Sequence, residues 1–427
     1  MSSHLDVYED RSELIEPNKE TIIFREGVQC GKTQQRYSRI VDKLNGGYLE
    51  SLFLSLSPSD FSLLSVENRR LVTDLVYGYT SEVGRALVGV AFLQMVIKCL
   101  EPDQCIRLHK GSLKTGSFSW VDGISMRTLD RNFTTPFLRK KGLLKLNRDG
   151  VFMTRSLAEN YPYTKLYKAE MRGPFEEWIK IVDALENKTL PPREGVCFLL
   201  SLLKNKSDSF SELSNQVIDA AKHINNLSFW VAEAILKNFF ENTKYSARAF
   251  EVVLHCLMQA IIGANYSEFD LVPLSQMRSA NKKHGNIGDI ELKSGRIIIE
   301  SWDAKYGKSY LRDELEELRD KILSNPGVKL AGFVTDKEVD KRADIIDRAE
   351  EISLETGVDI RLLSFDEWVD WQTSGLSVQQ KNSIANHWLI SVAESFGQKR
   401  RSMAPIDEPC DEWLKDFYTE IKAKNNS

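Results

Sequence analysis

"GNIGDIELKSGRIIIESWDAKYGKSYLRDELEELRDK", Gly285 to Lys321, sets an acid, Asp289, in one strand-like segment and follows a second, Arg296–Glu300, with the acid and base of Asp303-Ala-Lys305. Strands that face a core alternate apolar with polar residues, and acids and lysines are kept out of cores unless they have partners. Strand alternation sends Asp303 and Lys305 to one face and Ala304 to the other. Ser294-Gly295 is a tight connection between the two segments, so Asp289 on an antiparallel neighbour is expected to meet the pair at the strand ends. Outward from this hairpin the order is helix ("ARAFEVVLHCLMQAIIG") and loop before it. After it come helix ("SYLRDELEELRDKILS"), strand ("VKLAGFVT"), helix ("KRADIIDRAEEISLETG") and strand ("VDIRLLSF"). That alternation predicts an α/β (α+β) domain over 245–372, a central mixed sheet flanked by helices.

The residue types define a chemistry. Asp289 and Asp303 are two hard oxygen donors of the kind Mg2+ takes, with waters, main-chain oxygens and a substrate phosphate completing its shell. The Lys305 ammonium can position an attacking water and neutralise charge where it develops on phosphorus. Glu291 shares the strand face of Asp289 and is a candidate ligand or partner. Glu300 is out of phase with Asp303 and reads as structural. Tyr306 and Lys308 follow closely enough to touch phosphate, or form a plain solvated turn. The loop "RSANKKH", with Arg278, Lys282, Lys283 and His284, concentrates positive charge beside the site and is a candidate DNA clamp.

Asp289, Asp303 and Lys305, with the roughly αβββαβ order around them, resemble the PD-(D/E)xK nuclease superfamily over about 120 of the 427 residues. Glu251, in "AFEVVLHCLMQA", stands where that family often carries an additional acid, and would act as an auxiliary metal ligand or orient the lysine. No Pro precedes Asp289; Gly288 takes its place, a frequent substitute. The resemblance implies a Mg2+-dependent double-stranded DNA endonuclease that leaves 5′-phosphate and 3′-hydroxyl ends.

Bulk numbers constrain the remainder. A chain of 427 residues suggests two to four domains, and 42% hydrophobic with 28% charged content is ordinary for a globular protein. The longest apolar run, Ala86–Leu100, falls short of the ~20 residues of a membrane span and reads as a buried helix. The polar, acidic N-terminus is unlike a signal peptide, so a cytoplasmic protein is expected. Six cysteines and six histidines are scattered without a Cys-x-x-Cys pair, against a zinc ribbon, a disulfide framework or an HNH-type site. "GVQCGKT", Gly27–Thr33, has three residues rather than four before Gly-Lys, so no ATP site is expected.

Charge is polarised. Between Arg107 and Arg172 there are 14 Lys plus Arg against 5 Asp plus Glu, in a chain whose formal net charge is −4. Within it, Thr135 followed by Pro136 is a helix start. "LLKL", "NRDG" and "VFMTR" read as a hairpin turning at Asp149-Gly150. Helix, helix and basic hairpin resemble a winged helix-turn-helix, with Arg127, Arg131, Arg139, Lys140, Lys141 and Arg148 as expected DNA contacts. The domain expectation is therefore a helical region 1–105, a winged-helix-like segment 106–172, a helical connector 173–244, the nuclease domain 245–372 and a helical extension 373–427. The whole reads as a type II restriction endonuclease of a prokaryotic cytoplasm, with Mg2+ as cofactor, dimeric if its site is palindromic. Alternatives are a modification-dependent, transposition-linked or abortive-infection nuclease, a DNA-binding regulator with an inactive nuclease fold, or a helical scaffold without a DNA role.

Overall fold

Three short strands stand at the start of the chain, where periodicity had indicated none: β1 (His4–Val7), β2 (Arg11–Ile15) and β3 (Ile22–Arg25), antiparallel in the order β1-β2-β3. Leu14 and Phe24 reach a small core with Leu108 and Trp120. The computed structural model describes residues 3–78, 82–274, 286–308, 310–398 and 410–425. Contacts divide the chain into two units, Met1–Asp208 and Ser209–Ser427.

In the first unit the strands lead into α1 (Gly31–Asn45), α2 (Tyr48–Leu54), α3 (Val66–Tyr77) and α4 (Glu82–Leu100). The apolar run expected to be a buried helix is one: Leu87 to Ile97 lies inside the core as part of α4. Its one central polar side chain, Gln94, accepts from Trp178 Nε1 at 2.8 Å and donates to Ile106 O at 2.9 Å, so the burial leaves neither amide atom orphaned. A short helical run follows, α5 (Met126–Leu129), a π-helical turn (Asp130–Thr134) and α6 (Thr135–Lys140), with Pro136 in the first turn of α6 as expected. Trp178 belongs to α7 (Phe175–Glu186), which packs on α3 and α4. The unit boundary falls within α8 (Pro192–Lys222).

The expected wing hairpin is absent. Residues 143–150 have no strand, and 3-10 turns occupy Val151–Met153 and Arg155–Ala158. The glycine does turn the chain, at φ +98°. However, Leu143, Leu144, Leu146, Val151 and Phe152 are all buried, where a two-faced hairpin would expose alternate residues. Side chains also occupy the backbone groups that a ladder would need. The buried carboxylate of Asp130 accepts from Val151 N at 2.7 Å, Arg127 donates to Phe152 O at 2.8 Å, and Arg139 donates to Leu146 O. The first unit is therefore helical with a small sheet, and the winged-helix expectation loses its wing.

The second unit holds α9 (Phe229–Asn242), α10 (Ser246–Gly263), β4 (Asp270–Leu271), β5 (Ile290–Ser294), β6 (Ile297–Lys305), α11 (Arg312–Leu323), β7 (Leu330–Thr335), α12 (Ala343–Thr356), β8 (Asp359–Ser364), α13 (Phe365–Thr373), α14 (Val378–Phe396) and α15 (Cys410–Asn425). The five-stranded sheet runs β4-β5-β6-β7-β8. β4, β5 and β6 pair antiparallel, while β6, β7 and β8 are parallel and joined through α11 and α12. The mixed α/β character, the Ser294-Gly295 turn and the hairpin thus match expectation, with Gly295 at φ +62°. Both faces are covered. Ala331 and Phe333 of β7 pack with α11 and α12, whereas Trp302 and Val334 pack with α10, α13 and α14. α10 is the one described helix long and apolar enough to cross a membrane; 78% of it is buried inside the unit, as in a core helix. The 173–244 segment is shared, α7 in the first unit and α9 in the second. The last two helices bury Trp388, Trp413 and Phe417 in the second core.

Candidate functional site

Asp303 and Lys305 leave β6 on one face and meet: the Lys305 Nζ lies 3.0 Å from Asp303 Oδ2, the two side chains 21% and 15% exposed. Ala304 turns to the opposite face, against the α10 core. Asp289 sits immediately before β5. Its backbone N–H donates to Trp302 O at 2.8 Å, and its Oδ2 accepts from Ala304 N at 3.0 Å. Three groups drawn from adjoining extended segments therefore converge as expected, at a half-buried position open to solvent.

Gly288 explains how Asp289 comes this close. A Cβ at Gly288 would lie 2.5 Å from Trp302 O and 2.7 Å from Ser301 Oγ. The carboxylate of Glu291, itself 3% exposed, accepts from the backbone N–H of Ile287 at 2.7 Å and of Gly288 at 3.4 Å. Glu291 is thus bound to the loop that presents Asp289, a role that face periodicity alone did not reveal. Glu300 accepts from Trp302 Nε1 at 2.5 Å and from Gln372 Nε2 at 2.6 Å, the structural role expected of it. Tyr306 donates its hydroxyl to Phe240 O at 3.2 Å, and Lys308 pairs with Glu314, so neither is a bare phosphate contact.

Glu251 joins from α10. It is 5% exposed and ion-paired with Arg248, 4% exposed, one turn earlier on the same helix. Arg248 was missed in the sequence. The signal was available, because Arg248, Glu251 and His255 are the charged or ionisable residues of an otherwise apolar helix at i, i+3 and i+7. His255 Nε2 donates to Val272 O at 3.0 Å, and burial pushes its ring down to about 4, so the imidazole is neutral.

The electrostatics are those of acids crowded together. Burial pushes the Asp289 carboxyl well above the usual carboxylate range, and the charges of Glu251 and Asp303 push it further; the Ala304 N–H opposes them. Burial likewise raises the Glu251 carboxyl against the pull of Arg248. Burial alone would lower the Lys305 ammonium, but Asp303, Asp289 and Glu314 outweigh it and hold it raised, so this lysine is a cation rather than a general base. A divalent ion at Asp289 and Asp303 would relieve the crowding, and two carboxylates a strand apart suit its oxygen preference. Among the described residues no group of three or more His, Cys, Asp or Glu side chains is drawn tight enough to hold an ion.

The expected DNA contacts fall into three groups. Arg278, Lys282 and Lys283 lie outside the described residues, as does His284. Arg127 and Arg139 are bound to backbone carbonyls, as above, and Lys140 and Lys141 pair with Glu50 at 3.6 and 2.6 Å. Arg131 and Arg148 are exposed. No protein-family model and no curated protein matches this chain.

Proposed function

We propose that the second unit is a Mg2+-dependent phosphodiester hydrolase of the PD-(D/E)xK kind, acting on double-stranded DNA in the manner of a type II restriction endonuclease. The observation that carries the reading is the meeting of Asp289, Asp303 and Lys305 at the β5–β6 strand ends, with Glu251 close enough to feel their charges. The mixed sheet, with α10 packed before it and helices at its parallel crossovers, supports the reading too.

A bound Mg2+ would polarise the scissile phosphate and supply a more acidic water. Asp289 and Asp303 would hold the ion. Ala304 N–H fixes the Asp289 carboxylate, and Gly288 with Glu291 fixes the backbone that presents it. Lys305, kept cationic by its acidic neighbours, meets the negative charge that builds on phosphorus in the transition state. In the first unit, exposed Arg131, Lys140 and Arg148 supply the sequence-independent part of DNA affinity, which must then weaken as salt rises. A palindromic target would be read by a two-fold dimer.

The test is incubation of the full chain with phage DNA and MgCl2, beside Asp303→Ala and Lys305→Ala. Discrete fragments from the parent alone, abolished by EDTA, are expected. Salt-sensitive binding without cutting, identical in parent and Lys305→Ala, would replace the nuclease with a DNA-binding regulator. Binding that ignores salt, or none, would remove the DNA role.

A further inference from the structure

The Arg248–Glu251 pair is an unusual thing to bury. Both side chains are at least nine-tenths inside the unit, and the pair joins residues one turn apart on one helix. Buried ion pairs are poor sources of stability, because desolvation consumes most of the attraction, and an apolar pair would pack α10 as well. The neighbourhood suggests another use. Asp303 is matched by Lys305 and Asp289 by the Ala304 N–H, while Glu251, near enough for its charge to act on Asp289 and Asp303, is ion-paired with Arg248.

We infer that Arg248 is a resident counter-charge standing in for the divalent ion: it holds Glu251 while the site is metal-free, and an ion arriving at Asp289 and Asp303 recruits Glu251 in competition with it. The inference rests on the proposed reading of Asp289 and Asp303 as metal ligands. Arg248 is accordingly a positioning residue that sets the ion concentration at which the site fills. Two opposite consequences follow from one charge. Its removal leaves Glu251 buried without a partner, which weakens the metal-free protein. It also removes a positive charge that repels the incoming cation, which tightens ion binding. A residue serving packing alone would do the first and not the second.

The experiment is thermal unfolding of the full chain in EDTA and across a MnCl2 titration, with calorimetric titration of MnCl2, for the parent, Arg248→Gln, Arg248→Lys and Asp303→Asn. The parent is expected to gain melting temperature with Mn2+ and Asp303→Asn not to. Arg248→Gln is expected to melt lower in EDTA yet half-saturate at about ten-fold lower MnCl2, the scale of one nearby charge acting on a divalent ion. Arg248→Lys keeps the charge but loses the planar fork that grips a carboxylate, and its midpoint is expected between the two. If Arg248→Gln does not fold, the Arg248→Lys midpoint decides alone. Midpoints unchanged or raised in the Arg248 variants, with a responsive parent, overturn the counter-charge role and leave the metal site standing. A parent as unresponsive as Asp303→Asn overturns the site itself, and this inference with it.

Discussion

Gly288→Ala isolates the contact that lets one acid reach the other strand. The added methyl would meet Trp302 O at 2.5 Å, with Ser301 Oγ and Trp302 C both at 2.7 Å. Two of these are backbone atoms of a paired strand, and Ser301 is 1% exposed, so none is the loose end of a flexible side chain. Relief needs a separation of roughly 0.5–1 Å between the 288–289 backbone and β6, against a close-packed interior. Overpacking of this kind costs about 1–3 kcal/mol. The same displacement stretches Asp289 N–H to Trp302 O and Ala304 N–H to Asp289 Oδ2, and a ~1 Å misplacement of a reacting group costs about 100-fold in rate. Denaturant unfolding followed by tryptophan fluorescence should register the stability loss and, on the proposed hydrolase reading, Mg2+-dependent cleavage the misplacement. Gly263→Ala is the control: nothing lies within 4 Å of its would-be Cβ at the end of α10, so it should be neutral or slightly stabilising. Equal stability and equal cleavage in Gly288→Ala and the parent would refute the close-approach account.

Two further outcomes concern other parts of the molecule. Asp130→Ala strips the acceptor from Val151 N, Thr134 Oγ1 and Thr135 Oγ1, held at 2.7, 2.9 and 2.8 Å, and should cost about 3 kcal/mol of first-unit stability by urea unfolding. A loss under ~1 kcal/mol would mean that this carboxylate does not organise 130–151. Burial, with Asp366 and Asp370 nearby, pushes the Glu233 carboxyl up to about 7. A raised carboxyl contributes stability that is complete below its unfolded value, 4.5, and is lost as pH climbs through about 7. Glu233→Gln should therefore flatten the melting temperature between pH 4.5 and 8 and raise it relative to the parent at pH 8; an unchanged pH slope would contradict this.

The site-bearing sheet was legible because three independent signals agreed there: period-two strands, period-3.6 helices and glycine punctuation at Gly295 and Gly357, both left-handed in the structure. Face alternation also placed Asp303 against Lys305 and set Glu300 apart. For Glu291 it gave the face and left ligand or partner open, since periodicity does not say whether a side chain's oxygens are taken by the loop four residues earlier. The initial strands were illegible for a different reason. Their core amounts to Leu14 and Phe24 against two distant side chains, too little to impress a pattern on thirteen residues. At Asp149-Gly150 the turn signal was sound and the inferred hairpin was not. A turn residue fixes where the chain reverses, while consecutive buried leucines and the reach of Asp130 decide what it becomes.

The helix that bears Glu251 is entered through Tyr245, its N-cap, in the left-handed region at φ +54°, and the carbonyl just before that residue, Lys244 O, is held by Trp413 Nε1 of α15 at 2.8 Å. Phe417 of the same helix lies against Phe239. The residues that would perform chemistry thus leave the ribosome well ahead of the helix that pins the entrance to their scaffold. A nascent chain therefore carries the whole acidic trio before it carries the clasp at the entrance to α10, and the scaffold of Glu251 is completed only once α15 has been made.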